Sequence, residues 1–256
     1  MSISGRYITI RGGNIIGTPP TITPPAPPIV TDNLFMKLDA SNYVSGAWQD
    51  ETVNGNNATI NGATWLSTDG GIFDFDGIND TMTITHNSSL SLNTTTQRTL
   101  QAWVKFDALP TSTNRMIVFG KLSANFVFDG WWGGINSSGN AVIATNGTGT
   151  SKTTASTLTV NIDTWYLFTF ISRITATANT TKIYVNETEY VSTAHGTDGY
   201  SESNNLTLGY LTPPLTGLGL ISYLNGKIGA CYFYTKGLDA SEVSTNFNAT
   251  KTRFGI

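Results

Sequence analysis

The chain has 256 residues but a single cysteine, two histidines and five glutamates, and only 12% of its residues are charged. One cysteine excludes a disulfide framework within the chain. Cys231 lies in the apolar run 230–234 and reads as a small core side chain rather than a nucleophile. His86 and His195 stand in polar, Gly/Asn/Ser-rich surroundings with no Cys or His neighbour at ligand spacing, which argues against zinc. A net charge of −3 and a pI near 5.3 leave no electrostatic footprint for nucleic acid, and the interval from Arg6-Tyr7 to Arg11 is too brief a basic-aromatic stretch to supply one. No stretch approaches 18 consecutive apolar residues, so no membrane insertion is expected. The opening Met-Ser-Ile-Ser-Gly-Arg lacks the apolar centre of a secretory signal, so synthesis in a host cytoplasm is expected. Sequons such as Asn57, Asn93, Asn146 and Asn205 then read as a by-product of Asn and Thr richness. Neither a Gly-x-Ser-x-Gly elbow nor a phosphate-cradling Gly-x-x-x-x-Gly-Lys loop is present.

What fills the chain instead is β-forming. With 39% hydrophobic and 11% aromatic residues it can bury a sizeable core, while Thr, Ser, Asn and Gly take the place of charge on the surface. Candidate strands are residues 34–39, 59–66, 72–75, 81–85, 99–106, 116–121, 126–135, 141–145, 158–160, 165–174, 182–185, 206–210 and 227–234. Residues 165–171 (WYLFTFI) are apolar on both faces, as in a strand covered on both sides. In residues 99–106, Leu100, Ala102, Val104 and Phe106 alternate with Gln101, Trp103 and Lys105, so one face is expected to be more exposed. Many short strands with turn signals and no interleaved helices predict an all-β, two-sheet antiparallel sandwich. One short C-terminal helix is expected over 240–248: Asp239 is an N-cap with Glu242 three residues on, and Leu238 and Val243 occupy staple positions.

The leading 31 residues differ. Residues 6–16 (RYITIRGGNII) hold two short β-like runs, and residues 18–28 pack six prolines into eleven positions, a polyproline II spacer. An extended N-terminal arm (1–31) carrying an assembly anchor at Arg6, Tyr7, Ile8, Ile10 and Arg11 is therefore expected ahead of a body at 32–256, with an untethered disordered terminus as the alternative.

In the segment FDFDGINDTMTI, Phe73 and Phe75 share one strand face, Asp76-Gly77 turns the chain, and Met82 and Ile84 resume the alternation, which predicts a hairpin with a polar tip. That segment, the upstream LDASN…W.D….GNNA, the downstream TLQAWVKF and the closing GKIGACYFYTKGLDASEVSTNFNATKTRFGI resemble the laminin-G-like jelly rolls of the concanavalin A lectin/glucanase superfamily, over roughly residues 32–256. The resemblance implies a concanavalin A-like jelly roll. Its glucanase members carry Glu-x-Asp-x-(x)-Glu on one strand, and this chain lacks that motif. Glu187 and Glu189 fall at a hairpin tip. Asp74 and Asp76 share a strand face but have no Glu partner from which to build a general acid. No catalytic residue is assigned and no enzyme activity is expected.

The resemblance also implies a calcium option at one rim, where Asp76, Asn79 and Asp80, with Asp129 as a further oxygen source, would serve a hard cation. The alternative is a tight turn in which the same side chains bond local amides. Carbohydrate binding needs an open aromatic ring beside amides or hydroxyls. Trp131 and Trp132, of which one must point away from the core, are candidates, with Tyr200, Tyr210 and Tyr223 as rim residues; the alternative is that the outward Trp packs under a loop or against a neighbouring subunit. The ending LDASEVSTNFNATKTRFGI is similar to the C-termini of laminin-G-like proteins of tailed phages. These features point to a virion-surface protein, anchored in capsid or tail proteins through residues 1–31. It is expected to be multi-copy or homo-oligomeric and to display a lectin-like jelly roll for decoration or adhesion to host surface glycans. A stand-alone lectin is the first alternative, and a glycoside hydrolase working through Asp74 or Asp76 a more distant one.

Overall fold

The computed structural model describes residues 28–91, 97–111, 114–122, 130–147, 150–174, 179–194, 203–211 and 221–256. The anchor residues Arg6, Tyr7, Ile8, Ile10 and Arg11 lie outside them, as do Asp129, His195 and Tyr200. The strands follow in chain order: β1 (Leu34–Asp39), β2 (Ala58–Asn61), β3 (Thr64–Leu66), β4 (Ile72–Asp76), β5 (Thr81–Ile84), β6 (Gln97–Phe106), β7 (Arg115–Leu122) and β8 (Gly130–Asn136). There follow β9 (Asn140–Gly147), β10 (Thr150–Thr159), β11 (Trp165–Ile174), β12 (Asn179–Val185), β13 (Thr188–Ala194), β14 (Leu206–Leu208), β15 (Ile221–Ser222) and β16 (Asn225–Tyr234), before helix α1 (Ala240–Thr250). One sheet has the order β13-β12-β11-β6-β16-β4-β3, with β1 also paired to β16. The other has the order β10-β9-β8-β7-β14-β5-β2, with the short β15 beside β7. All pairings are antiparallel except that of β15 with β7. This is the two-sheet antiparallel sandwich with one short C-terminal helix that the sequence predicts.

The core lies between the sheets because each strand alternates. From the first sheet, Phe73, Phe75, Leu100, Val104, Phe168, Phe170 and Phe233 point inward, against Met82, Ile84, Phe119, Trp131 and Ile143 from the second. The stretch 73–84 is not a paired hairpin. β4 pairs with β16 and β3, whereas β5 pairs with β2 and β14, so the 76–80 turn is an arch from one sheet to the other. Its two apolar pairs reach the core from opposite layers. For the same reason the single strand expected over 59–66 is two, β2 in the second sheet and β3 in the first. Gly62 makes the break at φ +96°, where a Cβ would lie 2.0 Å from Asp80 Oδ1.

The expectation of a more exposed face on β6 fails. Gln101 and Trp103 are fully buried, because α1 and the turn behind it cover the outer face of the first sheet. Trp103, Trp165, Leu167, Ile171, Tyr232 and Tyr234 meet Leu238, Val243, Phe247 and Phe254 there. β11 is thus covered on both faces, as its sequence predicts. The helix has the capping box formed by Asp239 and Glu242, and it extends two residues beyond the expected end, to Thr250. Residues 28–31 strap across this layer: the Val30 amide donates to Asn246 Oδ1 (2.7 Å), and the Tyr234 hydroxyl donates to the Val30 carbonyl (3.1 Å). Cys231 is fully buried, and burial pushes its thiol up to about 12.

Candidate functional site

The 76–80 arch stands at one end of the sandwich, and its sequence closes it tightly. Asp76 Oδ1 accepts from the backbone amides of Ile78 (2.8 Å) and Asn79 (3.2 Å), while Gly77 takes a φ of +76° that a side chain rarely adopts. These amides, that of Ile78 foremost, hold the Asp76 carboxyl below the usual carboxylate range. Asp80 turns inward, 6% exposed, and its Oδ2 accepts from the Asp76 amide at 2.9 Å. Burial pushes the Asp80 carboxyl up, and the charges of Asp76 and Asp74 add to this against the opposing amide bond. Ile78, 71% exposed, and Asn79 form the crown of the arch.

Two segments close on the arch from the side. A Cβ on Gly77 would come within 2.7 Å of Asn225 Cβ, and one on Gly209 would come equally close to the Phe75 ring. The Leu224 amide donates to the Gly209 carbonyl at 2.8 Å. This arrangement sets Tyr210 beside Tyr223, with ring centroids 3.9 Å apart and planes 11° from parallel. Both residues are half-buried. Burial, and secondarily Tyr223, raise the Tyr210 hydroxyl pKa, so this hydroxyl stays a neutral donor at physiological pH. Below the rim, Lys227 bridges Asp74 (3.1 Å) and Asp107. Burial works to lower its pKa, but the bonds to Asp107 and Asp74 outweigh this and hold it above the ordinary value. A stacked aromatic slab flanked by amides and carboxylates can take the C–H face of a sugar and bond its hydroxyls.

The carboxylates that sequence reasoning singled out are engaged elsewhere. Asp74 is ion-paired as above. Glu187 accepts from Ser244 and Asn248 of α1, and Glu189 pairs with Lys182 at 3.0 Å. Asp76 and Asp80 bond backbone amides of the arch, as in the tight-turn alternative. Among the described residues no group of three or more His, Cys, Asp or Glu side chains is placed to hold a metal. His86 faces Lys121, with Nδ1 at 2.8 Å from Nζ, and burial, then the Lys121 charge, lower its pKa.

Trp131 and Trp132 need correcting as open rings. They do take opposite faces of β8, but Trp131 is 3% and Trp132 1% exposed. Trp131 lies in the core against Phe119 and Phe233, and Trp132 is covered by Ile117, Leu122, Val142, Ala144 and Leu211, with the Arg115 guanidinium 5.5 Å from its ring centre. The outer face of the second sheet is itself packed there. Sequence reasoning passed over Trp65, which at 36% exposed is the open indole among the described residues. It closes the sandwich edge beside Tyr43, its Nε1 donating to the Ala40 carbonyl at 2.9 Å. Its place on the short strand after the Gly62 break was the available signal.

The family model for the concanavalin A-like lectin/glucanases superfamily (Laminin G 3) matches residues 76–244. No curated protein matches the sequence. Among solved structures, the chain is similar to the binding domain of Paraclostridial Mosquitocidal Protein 1 (TM-score 0.65, 16% identity, 85% of this chain and 52% of that one). It is also similar to botulinum neurotoxin type C, whose cell entry depends on interaction with two ganglioside molecules (TM-score 0.64, 16% identity, 85% and 51%). A third is domain 4 of AbnA, a GH43 extracellular arabinanase from Geobacillus stearothermophilus, in complex with arabinotriose (TM-score 0.63, 17% identity, 84% and 98%). The chain spans about half the length of the two toxin structures. At these identities the likeness is one of fold.

Proposed function

The chain belongs to the concanavalin A-like lectin/glucanases superfamily, and from that premise we propose that it is a non-catalytic, lectin-like adhesion module that binds host surface glycans through the rim around Tyr210 and Tyr223. The observation that carries this reading is the stacked, half-buried tyrosine pair, set on segments whose Gly209 and Asn225 close on the Asp-Asn arch. Preorganised aromatic faces lose little entropy on binding, and neutral hydroxyls suit an uncharged saccharide. The fold is shared with a domain seen holding arabinotriose, which this chain matches over nearly all of that domain's length. The finer part of the proposal is its setting, exposed on a phage capsid or tail in several copies. That setting rests on the proline-dense arm with its Arg6–Arg11 head, and on the phage-like wording of the last nineteen residues.

The test is a glycan array on the full chain, followed by titration of any hit with the Tyr210→Ala and Tyr223→Ala variants. Each change is expected to weaken binding about tenfold, the loss of one stacking partner, and EDTA is expected to have no effect. A blank array, or hits that bind both variants like the parent, would remove the rim from consideration. Electron microscopy of an intact particle tests the setting: the jelly roll should project outward and residues 1–31 should be buried in a neighbouring protein.

A further inference from the structure

We propose a second ligand site, independent of the rim and of the reading above, in a cleft on the outer face of the first sheet that takes a neutral, polyhydroxylated molecule the size of one sugar ring. The cleft has a volume of about 380 Å³ and opens between the 28–31 strap, β1 and the last turn of α1. Its floor is set by the register of β1 against β16, which places Lys37 opposite Tyr232.

Three observations define what fits. Tyr232 is 1% exposed, lines the cleft, and makes no side-chain hydrogen bond to any described residue. A buried hydroxyl without a partner is costly, so a ligand oxygen there is favoured. The nearby charges are already matched: Lys37 Nζ lies 2.8 Å from Glu51, and Arg253 pairs with Asp39. No net charge is therefore left to attract an ion. Beside the hydroxyls of Thr31 and Tyr232, Leu34 and Ala249 supply apolar wall. One buried unpaired hydroxyl beside an exposed one, matched charge and apolar surface in a volume of this size complement a monosaccharide better than an anion, a cation or an acyl chain. Burial, and secondarily the charge of Asp39, drives the Tyr232 pKa far upward, so its hydroxyl remains a neutral donor at every ordinary pH.

The experiment is calorimetric titration of the full chain with a panel of neutral pentoses and hexoses. At least one should bind saturably. Tyr232→Phe, which keeps the ring and removes only the hydroxyl, should weaken it about fivefold, one hydrogen bond's worth. Ala249→Phe, which fills the cleft from the helix, should abolish binding, and Tyr210→Ala should leave it unchanged. The proposal is overturned if no monosaccharide binds, or if Tyr232→Phe binds like the parent. It is also overturned if Tyr210→Ala alone removes binding, which would place the sugar at the rim. Unchanged thermal unfolding of Tyr232→Phe would show that any loss is not a folding defect.

Discussion

Asn246 ties the helix, the first sheet and the strap together with one side chain, and its removal should be among the most damaging single changes outside the central core. The residue is fully buried. Its Nδ2 donates to Gln101 Oε1 (2.6 Å) and to the Tyr234 hydroxyl (2.9 Å), while its Oδ1 accepts from the Val30 amide (2.7 Å). Gln101, itself fully buried, passes the chain on to Thr169 Oγ1 at 2.8 Å. Asn246→Ala leaves Gln101 Oε1 stranded under the helix and deprives the half-buried Val30 amide of its acceptor. The Tyr234 hydroxyl keeps the Val30 carbonyl as partner. Each stranded buried group costs about 1–3 kcal/mol, and the Val30 amide, closer to water, falls at the low end. A loss of about 2–4 kcal/mol follows, a large share of the ~5–15 kcal/mol that holds a typical domain. For a chain of this length that corresponds to a drop in Tm of roughly 10 °C. Urea denaturation of parent and variant, with equal m-values, measures the difference directly. A loss below about 1 kcal/mol would refute the reasoning, since the stranded groups would then have to find water where the structure shows packed side chains.

Three further outcomes are open to measurement. Gly134→Ala would bring a Cβ to 2.0 Å from the Met116 carbonyl across the β7–β8 pair; it should cost about 3 kcal/mol and shift the urea midpoint accordingly, and a neutral result would contradict that close approach. Cys231, with its thiol pushed up to about 12 in full burial, should react with a thiol reagent at pH 8 only as fast as the protein unfolds; rapid labelling under native conditions would exclude its place in the core. Asp80 is an acid whose pKa rises on folding, so its contribution to stability is present at low pH and is lost as pH climbs through the folded value. Asp80→Asn should therefore gain stability relative to the parent as pH rises above the ordinary 3.8, and level off once the parent carboxyl is ionised; a difference that does not change with pH would show that burial leaves this group unperturbed.

The elements that could be read from sequence are those whose pattern is local. β1 begins and ends where its alternation does, and β11 is apolar on both faces because both faces are covered. The capping box at Asp239 and Glu242 is a four-residue signal, and it appears as such. The misses have two causes. β13 (TEYVSTA) and most of β10 (TSKTTASTLT) lack an apolar stripe, and both lie at sheet edges, where backbone pairing on one side suffices to hold a strand. The run 59–66 looked continuous because alternation continues through Gly62, although the chain changes sheets there.

The site shows the same division more sharply. Asp76 bonding to amides two and three residues on is local turn chemistry, and the Asp-Gly pair announces it. Tyr210 and Tyr223 are thirteen residues apart, and the Leu224–Gly209 hydrogen bond beside the arch joins the segments that carry them. For Trp131 and Trp132, alternation correctly assigns opposite faces but cannot say whether a face is wet. Distant Leu211 buries one ring, just as distant α1 buries Gln101 and Trp103 on the other sheet. In a sandwich whose outer faces carry their own layers, an aromatic residue on an outward strand position is thus poor evidence for a binding surface. The better guide is an aromatic at an arch or an edge, which is where Tyr210, Tyr223 and Trp65 stand.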